Sequence, residues 1–147
     1  TTGDIITPRE MKYNYNSIFE DKKIPIMTYT LETLLAEKFQ TVITRGIFNT
    51  RLKDFYDIFI LIKTKINTID KITLVIAIEN TFKRRETKLD INYFTKVIDS
   101  LTENDNLKDL WKDYQNKNNY AKDIDFEDTV DAIKIIINIL EETLVTA

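Results

Sequence analysis

Apolar positions recur along most of this chain at spacings of three and four, the period of helices with one buried face. The first segment departs from that period. Met11, Tyr13 and Tyr15 alternate with polar neighbours, which predicts a strand within residues 11–19. Glu20-Asp21-Lys22-Lys23 reads as a turn, and residues 24–29 as a second strand with Pro25 near its start, where a missing donor is tolerated. The pair predicts an antiparallel hairpin, which alone is marginal in water and so belongs to a larger sheet. Six helices follow. Thr30 caps the first, which runs to about Thr44 with Gly46 at its end. Asn49 or Thr50 caps the second, to about Lys63. The third starts at Thr68 and carries Ile72, Val75, Ile76, Glu79 and Phe82 up to Lys83-Arg84-Arg85. The fourth starts at Asp90, the fifth spans Asp105 to Gln115, and the last starts at Asp125 with Asp128 completing a capping box. The seam falls at residues 64–68.

Two adjoining helices break their own pattern. Leu31, Leu34, Leu35, Phe39 and Val42 form one apolar arc, and Lys38 falls inside it between Leu34 and Leu35. Phe55, Ile58, Phe59, Leu61 and Ile62 form the next arc, and Asp54 falls inside that. A lone buried charge costs several kcal/mol or changes its protonation state. Two of opposite sign in neighbouring helices point to a shared polar site set into the core.

Composition narrows the chemistry. The 147 residues include no cysteine and no histidine, which excludes thiol nucleophiles, histidine bases and zinc–histidine sites within the chain. Carboxylates, amines, guanidiniums and hydroxyls remain, with an oxygen-ligated metal such as Mg²⁺ as the compatible ion. The formal charge of −3 gives no general nucleic-acid signal, although the segment from Lys122 onward holds seven acids against two bases. No apolar run approaches a membrane span and no signal peptide is recognisable, so a cytoplasmic protein is expected. The chain opens Thr1-Thr2-Gly3 without methionine, as a piece of a longer polypeptide would.

The run Leu31-Glu32-Thr33-Leu34-Leu35-Ala36-Glu37-Lys38, then an arginine, then residues 49–57 (Asn-Thr-Arg-Leu-Lys-Asp-Phe-Tyr-Asp), resembles the AbiEii/AbiGii-type abortive-infection nucleotidyltransferase family. The opening residues 2–8 and the segment 125–133 are similar to it as well. The resemblance implies the toxin half of a bacterial toxin–antitoxin and phage-defence pair. It also implies a nucleotidyltransferase fold followed by a helical domain. On that basis the expected class is α+β, mostly α. A hairpin remnant of the nucleotidyltransferase sheet precedes about six helices forming a helical lobe. Residues 1–64 would close the nucleotidyltransferase domain and 65–147 would form a helical bundle.

The family's lysine after Ala-Glu matches Lys38, and its basic residue with two aspartates matches Lys53, Asp54 and Asp57. The basic position is more often arginine in the family. Lys38, Asp54 and Asp57 are thus the catalytic candidates, and Lys38, Arg45, Arg51 and Lys53 the nucleotide-binding ones. The family's Gly-Ser pair with its metal-binding carboxylate, and its further aspartate, have no counterpart here; both are expected upstream of Thr1. The implied cofactors are Mg²⁺ and a nucleoside triphosphate (NTP) in the full-length protein, with none held by this stretch alone. The implied partners are an acceptor such as tRNA and a cognate antitoxin.

Each residue also has a plainer reading. Lys38 can snorkel at a helix edge, and Asp54 can be a first-turn acid favoured by the helix dipole. Asp57 can be a local ion-pair partner, and Arg51, Lys53 and Glu37 solvated charges. Lys83–Lys88 fits cations at a helix end, and Trp111 and Tyr114 fit the core. A non-catalytic helical module that binds an antitoxin or another protein is the alternative function. An internal Lys38–Asp54 salt bridge that specifies the fold is a third reading.

Overall fold

The structure is a computed structural model that describes residues 12–14, 25–27 and 30–146. Its helices are α1 (Leu31–Arg45), α2 (Leu52–Lys65), α3 (Lys71–Arg84), α4 (Ile91–Glu103), α5 (Asp105–Lys117) and α6 (Phe126–Thr146). Strands β1 (Lys12–Asn14) and β2 (Pro25–Met27) pair antiparallel, with Tyr13 opposite Ile26.

The expected α+β class is corrected here. Three residues per strand, joined by no other strand among the described residues, do not make a remnant of a nucleotidyltransferase sheet. The protein is mostly α. Alternation over a few residues is a weak signal, because a lasting sheet needs three or more strands or a packed face. The rest of expected strands 11–19 and 24–29 lies outside the described residues.

Local chemistry accounts for the helix ends. Thr30 Oγ1 accepts the Thr33 N–H at 3.1 Å, Asp90 Oδ1 accepts that of Tyr93 at 3.2 Å, and Asn104 Oδ1 that of Leu107 at 2.9 Å. At α6 the Asp128 carboxylate reaches back to the Asp125 N–H at 3.0 Å, the return half of a capping box. Gly46 closes α1 at φ +51°, a region that side chains disfavour. The start of α3 moves to Lys71, because residues 66–68 form a separate 3-10 turn. A longer-range cap helps: buried Glu32 on α1 accepts the Asp70 N–H at 2.8 Å, so the first turn of one helix fixes the entry to another.

One cluster of buried apolar side chains runs from Leu35 to Leu140 and crosses the anticipated seam. Phe39, Phe82 and Phe94 join α1, α3 and α4, with Phe39 edge-on to Phe94 at 5.4 Å. Phe55, Trp111 and Phe126 join α2, α5 and α6. Trp111 also donates its indole N–H to the Ile124 carbonyl at 2.8 Å. Helix α6 packs against α2, α3 and α4 and forms the spine of the lobe. Two anticipated apolar positions fall outside the core. Ile72 is exposed, because α3 buries Leu74, Val75, Ala77, Ile78 and Phe82 instead. Leu34 is 39% exposed, which leaves Lys38 at the rim of the α1 arc and not at its centre.

Candidate active site

Helices α1 and α2 are joined by a six-residue bend, residues 46–51, and that bend sets the site. Buried Asn49 accepts the Arg51 N–H through Oδ1 at 2.9 Å, a local turn that fixes the approach to α2. Asp54 then occupies the first turn of α2, and Asp57 lies one turn further on. Both face Lys38 in the middle of α1.

Lys38 Nζ lies 2.9 Å from Asp57 Oδ2 and 3.5 Å from Asp54 Oδ1. Lys53 Nζ meets both Asp57 oxygens, at 3.1 and 3.0 Å. That hydrogen bond raises the Lys53 pKa above its ordinary value, with partial burial opposing it. Asp54 is only 4% exposed, and its Oδ2 receives no hydrogen bond. Arg51 Nε stands 3.7 Å from that oxygen, near enough for an ion pair and too far for a hydrogen bond. A buried carboxylate oxygen with an open acceptor site is costly unless a ligand or water supplies a donor.

These side chains line a cavity of about 600 Å³ with a second wall from α5. Leu110, Asp113, Tyr114 and Lys117 form that wall. The Tyr114 hydroxyl sits 2.8 Å from that of Tyr120; burial and this hydrogen bond push its pKa upward, so the phenol stays protonated well above neutrality. The lining holds four cations (Lys38, Arg51, Lys53, Lys117) and three carboxylates (Asp54, Asp57, Asp113). Lys38, Asp54, Asp57, Arg51 and Lys53 therefore share one pocket. Arg45 does not reach it: it is exposed at the end of α1 and lines a separate recess with Tyr93 and Lys96.

The α5 wall was not anticipated. Trp111 is buried, but Tyr114 is half-buried and faces the pocket, where a core role alone was expected. A signal existed, since residues 110, 113, 114 and 117 fall on one side of a helix at 100° per residue. Nothing in the sequence said which helix that side would meet.

The residues present do not fit a Mg²⁺ site. Among the described residues no three metal-ligating side chains converge, and Asp54 and Asp57 are already flanked by Lys38, Arg51 and Lys53. A divalent ion there would meet three cations at close range. The arrangement instead suits an anion beside a polar group: ammonium and guanidinium charge at the rim, an open acceptor at depth, and an aromatic wall. Among the described residues no helix is long and apolar enough to cross a membrane.

A family model described as "Nucleotidyl transferase AbiEii toxin, Type IV TA system" matches residues 1–134. No curated protein and no solved structure matches the chain. The matched description carries nucleotidyl transfer as the activity and an antitoxin as the counterpart. The match spans the segment that supplies Lys38, Arg51, Lys53, Asp54 and Asp57 to the pocket. The chain belongs to the AbiEii nucleotidyl transferase toxin family.

Proposed function

We propose that the pocket between α1, α2 and α5 receives the triphosphate of an NTP, from which the complete enzyme transfers a nucleotide to an acceptor hydroxyl. The observation that carries this reading is the placement of Lys38, held by two carboxylates at the rim of a cavity lined by three further cations. An ammonium fixed by Asp54 and Asp57 presents a preset point charge and needs little reordering when a phosphate arrives. Arg51 and Lys53, both exposed, would exchange their ion pairs with Asp54 and Asp57 for phosphate oxygens. The Asp54 Oδ2 site would accept a hydrogen bond from a ligand hydroxyl or amine, and Tyr114 would give the base an aromatic face.

In the transfer itself the acceptor hydroxyl oxygen bonds to the α-phosphorus, the α–β bridging P–O bond breaks, pyrophosphate leaves with the bonding pair, and the hydroxyl proton passes to solvent. Residues of this pocket bind and orient that triphosphate. The carboxylates that hold Mg²⁺ would come from residues outside the pocket, and tRNA is one acceptor this reading allows. Phage defence is the biological setting that the reading implies.

Calorimetric titration of the intact protein with a non-hydrolysable NTP analogue tests the binding half. The account expects Lys38→Ala and Arg51→Ala each to weaken binding about tenfold or more, the loss of one charge-assisted contact. Unchanged affinity in both variants would remove the nucleotide from this pocket.

A further inference from the structure

A second recess lies beside the α1–α2 bend, with a volume of about 300 Å³. Its walls come from the end of α1, the turn at Gly46–Phe48 and one face of α4. Two features separate it from ordinary surface. Its lining holds two cations, Arg45 and Lys96, and no carboxylate, in a chain whose overall charge is −3. It also displays two aromatic rings to solvent, Phe48 at 83% and Tyr93 at 51% exposure. Single exposed aromatics are common, but two beside two cations in one concavity are not.

We infer that the recess formed by Arg45, Phe48, Tyr93 and Lys96 binds single-stranded nucleic acid. Cations that track phosphates, combined with rings on which bases stack, are the chemistry of sequence-tolerant strand binding. An acidic peptide would use Arg45 and Lys96 but would leave the ring faces in water, so the rings favour a polyanion that carries π-faces. Gly46 makes the display possible: its φ of +51° turns the chain out of α1 so that Phe48 projects from the bend. The recess is also close to the Lys38 pocket. Phe48 belongs to one rim and Thr50 to the other, and two residues of extended chain span at most about 7 Å. A strand seated on Phe48 and Tyr93 therefore has a short path to Lys38. The strand's destination rests on the nucleotidyl-transfer reading; its binding does not.

Fluorescence anisotropy on the intact protein, without NTP, tests the binding directly. The probes are oligouridine and oligothymidine about ten nucleotides long, within the usual footprint of such sites. Both strands bind on this account, and a preference between them tells whether RNA or DNA is the natural source. Phe48→Ala weakens binding about fivefold or more. Arg45→Ala with Lys96→Ala lowers the slope of log affinity against log salt by about 1.4, two phosphate contacts at single-strand stoichiometry. Lys96→Glu is a second variant at an exposed position and weakens binding further, while circular dichroism confirms the fold of each. Lys134→Ala, at an exposed lysine of α6 outside both pockets, leaves oligonucleotide binding intact. The inference is overturned if neither strand binds. It also fails if a duplex binds equally well and ignores Phe48→Ala, or if Lys134→Ala weakens binding as much as the recess variants do.

Discussion

Lys38 and Asp57 stand 2.9 Å apart across the α1–α2 junction, and Asp54 holds the same ammonium from one helical turn away at 3.5 Å. The two aspartates differ in consequence. Asp57 is shared with Lys53 at the rim, whereas Asp54 is buried with one oxygen unbonded. Removing Lys38 therefore strands Asp54 more than it strands Asp57.

Lys38→Met should destabilise the protein by about 1–2 kcal/mol, a figure reduced for the partial exposure of the lysine. Lys38→Met with Asp54→Leu should recover most of that loss, because the buried charge goes with its partner. Urea unfolding of the two variants checks both statements. The double variant should nonetheless fail to bind the NTP analogue. Recovery of stability together with full nucleotide binding would leave the pair as a fold-specifying salt bridge only.

Gly46→Ala should cost about 1–3 kcal/mol through backbone strain. Space is not the obstacle, since an added Cβ would meet only Val97 Cγ1 at 3.9 Å. The penalty comes from φ +51° with ψ −134°, a combination that side chains resist. Thermal melting of the variant measures it, and an unchanged midpoint would show that the bend relaxes freely.

Glu32→Ala should cost about 1 kcal/mol, the scale of a helix cap, because it removes the buried carboxylate that accepts the Asp70 N–H at the start of α3. Amide exchange should rise first at the beginning of α3. Exchange rising equally throughout the chain would mean that the contact supports the whole fold and not that one entry.

Tyr114 and Lys53 set the behaviour in alkali. Both pKa values are raised in the folded protein above ordinary values of 10.0 and 10.5, so both hold protons that the unfolded chain releases sooner. Their contribution is complete below the unfolded values and is lost as pH rises through the folded ones. Tyrosinate absorbance in a pH titration should show a late-ionising phenol, and Tyr114→Phe should remove that late step. A Tyr114→Phe titration with the same late step as the wild type would contradict the environment assigned to Tyr114.

Much of the helical lobe was legible because caps are local. Thr30, Asp90 and the Asp125–Asp128 pair mark helix starts through bonds spanning three residues. The conflict of Lys38 and Asp54 with their own arcs was equally local, and the structure brings the two together. Other features depend on which surfaces meet. Arg45 lies near Lys38 on a wheel drawn for α1, yet the bend at Gly46 carries it to another recess. Glu32 gave no sign of reaching Asp70, a partner 38 residues away. The α3 face was read only in part for the same reason: Val75 and Phe82 are buried as expected, but the packing of α1 on α3 selects Leu74 and Ile78 and leaves Ile72 exposed. The short β1–β2 pairing shows how weakly alternation over a few residues specifies a sheet.

We propose that Lys38 belongs to a nucleotidyl-transfer site. The most direct test is transfer of label from α-labelled NTPs to an RNA acceptor by the intact protein in Mg²⁺, with Lys38→Ala alongside. The account predicts transfer by the wild type and a loss of at least about a hundredfold in the variant, the scale on which a preorganised electrostatic contact acts. Full labelling by a folded Lys38→Ala protein would contradict the account.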